Sequence, residues 1–141
     1  MTHAEFVDAI LEQTDLSDRD AAERLVEATL RTFSDILYRT ERDAVSAPLP
    51  KSLAHLLHAA RPESSRKEIE RLAPEEFLNR VKARADIGYP KAKALVPVVM
   101  EVFERAVGRP TIKDVADRLP HPYHVLFPFV QPSSEEGPPP A

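Results

Sequence analysis

"AEFVDAILEQTDL", Ala4 to Leu16, is written a second time as "EEFLNRVKARADI", Glu75 to Ile87. At an offset of 71 this pairs Phe6 with Phe77, Val7 with Leu78, Ile10 with Val81, Asp15 with Asp86 and Leu16 with Ile87. Beyond a one-residue deletion near Gly88 the offset becomes 70. Ala22 then pairs with Ala92, Val26 with Val96, Leu30 with Met100, Phe33 with Phe103, Val45 with Val115, and Leu49-Pro50 with Leu119-Pro120. Two unrelated helices can share an apolar period. Nothing in that period demands a matched Leu-Pro pair or a matched Asp, so the chain reads as an internal duplication.

Each copy predicts helices. Phe6, Val7, Ile10 and Leu11 make a first apolar stripe, and Leu25, Val26, Leu30, Phe33 and Leu37 a longer one, at the three-to-four spacing of a helix that buries one face. No segment alternates like a strand. Pairs that can form capping boxes mark the starts: Thr2 with Glu5, Ser17 with Asp20, Ser65 with Glu68 and Thr111 with Asp114. Pro74 and Pro90 suit the first helical position, where a missing N–H costs nothing. A short third helix follows in each half, "ERDAVSA" and "IKDVADR". Leu49 and Leu119 close it against the core, and Pro50 and Pro120 begin a terminal helix carrying Leu53, Leu56 and Leu57 or Val125, Leu126 and Phe127. Pro97 falls inside the second long helix and predicts a kink near Leu95. The expected fold class is all-α, with two pseudo-symmetric helical repeats packed into one compact helical bundle. Repeat 1 spans 1–60, a linker with a helical turn 61–73, repeat 2 74–129, and a disordered Pro-rich tail 130–141.

The doubled Leu-Pro followed by "SLAHLL" or "YHVLF", with Phe6 and Phe77 aligned, resembles the DUF2267 family, a bacterial domain family of unknown function, from Met1 to about Phe129. The resemblance implies an all-helical fold and supplies no catalytic residue. The chain departs from the usual pattern at Pro97 and at Ser17.

The chain has no Cys, so disulfides, thiolate metal sites and a Cys nucleophile are excluded. Gly88, Gly108 and Gly137 are its three glycines and stand far apart, which excludes a phosphate-cradling glycine loop. The acidic, interrupted start "MTHAEFVDAILEQTD" does not read as a signal peptide, no apolar run approaches bilayer length, and a cytoplasmic location is expected.

Among residues able to do chemistry, His55 and His58 lie three apart, as do His121 and His124, a spacing that can place two imidazoles on one helix face. The pairs occupy non-equivalent repeat positions, no carboxylate motif completes a site, and no metal or other cofactor is expected. The carboxylates Asp15, Asp18, Asp20, Glu75 and Glu76 sit at expected helix starts, where they oppose the helix dipole. No enzyme is expected. Charge is more informative. Residues 1–60 carry six basic and eleven acidic side chains, while residues 61–141 carry thirteen and twelve. The expected function is a non-enzymatic helical interaction or regulatory module that binds a protein partner or a second copy as a homodimer. Its candidate surface is Lys82, Arg84, Lys91 and Lys93, with Val98 and Val102 facing outward. Membrane and nucleic-acid partners are set aside, the latter because the net charge is −4. The alternative is a small-molecule or metal-binding protein with a pocket between the repeats near Phe33, Phe103, His58 and His124.

Overall fold

The computed structural model describes residues 1–16, 18–58 and 73–119. These form seven α-helices and no strand. In chain order they are α1 (His3–Gln13), α2 (Arg19–Ser34), α3 (Arg39–Ser46), α4 (Lys51–His58), α5 (Pro74–Ala85), α6 (Tyr89–Val107) and α7 (Arg109–Arg118). None of them is long and apolar enough to cross a membrane.

Local chemistry sets the ends. Thr2 closes the expected capping box: its hydroxyl accepts from the Glu5 N–H at 3.1 Å while its own N–H donates to the Glu5 carboxylate at 2.7 Å. That backbone bond favours the charged carboxylate and holds Glu5 below the usual range. α2 is capped by Asp18, whose carboxylate accepts from the Asp20 N–H at 3.0 Å. Ser17, Ser65 and Glu68 lie outside the described residues. Thr111 is not a cap. Gly108, at φ 111°, both ends α6 and precedes α7, so the helix begins two residues before Thr111, with Pro110 in its first turn. α3 likewise begins earlier than its apolar pattern suggests, because the Glu41 carboxylate accepts from the Tyr38 N–H at 2.9 Å. In the shortened turn after α5, Asp86 adopts the left-handed conformation at φ 58°, and the Ile87 N–H reaches back to the Lys82 carbonyl at 3.1 Å. α6 runs unbroken through Pro97.

The long helices pack crosswise: α2 lies against α5, and α1 against α6, while α1 also meets α2 and α5 meets α6. α4 packs on α2 and α3, and α7 bridges α6 and α3. Phe6, Phe33, Phe77 and Phe103 are fully buried at the centre of one continuous core. Truncating a phenylalanine in such a site removes transfer energy and leaves a cavity, at a cost of about 3–5 kcal/mol. Ile10 and Val81, Val26 and Val96, Leu30 and Met100, and Leu49 and Leu119 are buried too. Pro50 starts the α4 segment as expected, sending Leu53, Leu56 and Leu57 into the core. Pro120 and the helix expected after it lie outside the described residues, as do the linker from 61 to 72 and the tail.

Candidate functional site

The C-terminal end of α2 carries the most elaborate polar assembly. Asp35 follows the last residue of α2, and its carboxylate side chain is 4% exposed. Arg80 and Arg84, one turn apart on α5, both reach its Oδ2 at 3.2 Å. Arg84 also donates to Thr32 Oγ1 at 2.9 Å, and Thr32 in turn donates to the Ala28 carbonyl at 2.7 Å. Arg42, buried on α3, donates to the Leu37 and Ser34 carbonyls at 3.0 and 3.3 Å, at and just past the C-terminal end of α2. This arrangement fixes α2, α3 and α5 to one another. It also fixes the rotamer of Arg84.

Beside it, α2 presents Arg24, Glu27, Ala28 and Arg31, positions three to four apart and so on one helix face. With Arg84 from α5 they line an open groove of about 380 Å³. Arg31 Nε lies 3.1 Å from Glu27 Oε1. Arg24 makes no hydrogen bond or ion pair with any described residue. Ala28 is the smallest residue of the lining.

Of the residues expected around a pocket, Phe33 and Phe103 meet edge to face with ring centroids 5.5 Å apart, and both are fully buried. His58 is held against α3, 2.9 Å from Ser46 Oγ and 3.9 Å from Asp43. His121 and His124 lie outside the described residues, and His55 is exposed. Among the described residues no three metal-ligating side chains gather into a metal site. His3 bridges two helices: Nδ1 lies 2.7 Å from Ser52 Oγ on α4 and Nε2 2.7 Å from Glu23 on α2.

The candidate interaction surface is corrected at one position. Val102 is fully buried, because α6 is packed by α1, α5, α7 and α2 around more of its circumference than one buried stripe implies. Val98 is partly buried against the core. Lys82, Lys91 and Lys93 are exposed, and Arg84 is 39% exposed on its side chain while held by Asp35.

Residues 3–126 match the family described as "Uncharacterized conserved protein (DUF2267)". The chain belongs to the DUF2267 family. No curated protein matches it. Membership in DUF2267 accords with the all-helical bundle and brings no established activity, so function has to be argued from the geometry of this chain.

Proposed function

We propose that this DUF2267 chain is a non-enzymatic binding module made of two pseudo-symmetric helical repeats, and that it associates with a protein partner or a second copy through oppositely charged ends. Two packing features support the repeat. α1 packs on α6 as α2 packs on α5, which are reciprocal contacts if α1 corresponds to α5 and α2 to α6. Phe33 and Phe103, aligned at offset 70, touch each other, as equivalent residues beside a twofold axis do.

The observation that carries the binding role is the charge on the two corresponding corners. Residues 12–23, around the α1–α2 corner, hold Glu12, Asp15, Asp18, Asp20 and Glu23 against Arg19, whose guanidinium is already engaged by Asp8 at 2.7 Å. Residues 82–93, around the α5–α6 corner, hold Lys82, Arg84, Lys91 and Lys93 against Asp86. The first corner contains the N-terminal end of α2, and the second abuts its C-terminal end through Arg84, Thr32 and Asp35. A 16-residue helix separates them by roughly 24 Å. Charges that far apart do not neutralise each other in physiological salt, where screening acts over about 8 Å. They can steer and orient a partner of matching polarity.

Sedimentation velocity of the full chain at low and high salt tests this, with wild type beside a Lys82→Glu, Lys91→Glu, Lys93→Glu variant. Association that weakens with salt and is lost in the variant is expected. A wild type that stays monomeric at every salt removes self-association. A partner purified with the wild type that binds the variant equally well removes the corner as its docking surface.

A further inference from the structure

The geometry points to the groove between α2 and α5 as a binding site for a small phosphate monoester, held by Arg24, Arg31 and Arg84. This does not depend on the protein-binding role proposed above, and either can fail without the other. At about 380 Å³ the groove lies within the size range of small-molecule sites and has room for a phosphate and the body of a small organic group. Three guanidinium groups and one carboxylate, Glu27, line it, and although Arg84 is also paired with buried Asp35, the lining keeps a net positive charge that suits an anion. Guanidinium suits this task because its planar fork offers paired N–H donors to two oxygens of one phosphate.

The three arginines are prepared differently. Arg84 is held through one terminal nitrogen by Thr32 and Asp35, which leaves its other N–H groups available at a fixed position. Arg31 lies beside Glu27, Nε to Oε1 at 3.1 Å, with its buried Nε making no hydrogen bond to a described residue and its terminal nitrogens uncommitted. Arg24, with no bond to any described residue, is the arm able to close over an occupant. The fold itself does not require this cluster. At the aligned positions of the other repeat stand Ala94, Pro97, Val98 and Glu101, with Gln13 opposite Arg84. A bundle of this kind therefore packs the corresponding junction without a single arginine at those five positions.

Calorimetric titration of the full chain in low-chloride buffer decides the matter, using glycerol 3-phosphate, inorganic phosphate, succinate and a single-stranded oligonucleotide as probes. Glycerol 3-phosphate is expected to bind most tightly and to raise the melting temperature, since a ligand of the folded state alone must do so. Arg24→Gln and Arg31→Gln, both on a solvent-facing part of α2, should each weaken it by about tenfold or more. Glu27→Gln should tighten it several-fold by removing the competing carboxylate. Circular dichroism melts of the free variants separate lost binding from lost folding. Succinate binding as tightly as the phosphate ester would overturn the phosphate assignment. Binding of the oligonucleotide alone, abolished by about 0.2 M salt, would make the groove part of a nonspecific polyanion surface and overturn the small-molecule site. Affinity unchanged in both arginine variants, or no heat with any probe, would overturn it as well.

Discussion

Asp35 and Arg80 face each other across 45 positions of sequence, Oδ2 to Nη1 at 3.2 Å, and the two ends of the pair are unequally covered: the carboxylate side chain is 4% exposed and the guanidinium 32%. Removing the cations therefore takes two ionic partners from a buried charge, whereas removing the anion leaves arginines that water can still reach.

The expected order of stability follows from that inequality. Arg80→Ala with Arg84→Ala should cost about 3 kcal/mol, near the lower end for breaking a buried pair, and Asp35→Asn clearly less. Urea melts of the three proteins measure it. An Asp35→Asn variant less stable than the double arginine variant would show that the carboxylate matters for another reason.

Phe33→Ala and Phe103→Ala should each destabilise by about 3–5 kcal/mol, and the double variant by less than the sum, with a coupling of about 0.5–1.5 kcal/mol from the edge-to-face contact. A double-mutant cycle reads that coupling directly. Strict additivity would mean that the two rings share a core without supporting each other.

The apolar part of this structure was legible in the sequence because helical burial repeats every three to four residues, and Phe6, Phe33, Phe77 and Phe103 all fall where that period puts them. The Leu-Pro pairs were equally readable: Leu49 and Leu119 are buried, and Pro50 opens the next helix. The polar assembly was not. Asp35 within "TFSDILY" carries no local sign that its partners lie on α5, and Arg42 and His3 look like ordinary surface residues until α2 and α4 arrive beside them. Val102 was misplaced because a stripe assumes one buried face, whereas α6 is covered from several directions. The groove left half a signal: Arg24, Glu27, Ala28 and Arg31 lie on one face of α2, but nothing in their spacing brings Arg84 to them.

Two glycines that look alike in sequence should respond differently to alanine. At Gly108 an added Cβ would meet nothing within 4 Å, yet φ 111° is a conformation that side-chain-bearing residues rarely adopt. Gly108→Ala should therefore cost about 1–3 kcal/mol through backbone strain alone. At Gly88 the backbone is extended, and the nearest atom to a new Cβ would be Pro90 Cδ at 3.8 Å, an ordinary contact. Gly88→Ala should cost less than about 1 kcal/mol, the difference between glycine and alanine as a helix cap. Thermal melts that ranked them the other way would contradict the backbone argument.

Acid should loosen the start of α1. Glu5 is held below its ordinary value of 4.5 by the Thr2 N–H, so its contribution is fully present above that value and disappears as pH falls through the lower value it has in the folded chain. Glu5→Gln, which cannot ionise, should show a shallower loss of melting temperature between pH 5 and pH 3 than wild type. Parallel curves for the two proteins would remove Glu5 from the acid response.

Gly108 has a kinetic consequence as well. Because α6 ends and α7 begins at this one residue, the joint between them has a single pair of torsions and no loop that could rearrange while both helices stay docked. α7 is thus expected to come away from α3 as one body or not at all. In native-state hydrogen exchange its interior amides should then share one opening free energy, below that of α6, instead of fraying residue by residue from Arg118 inward.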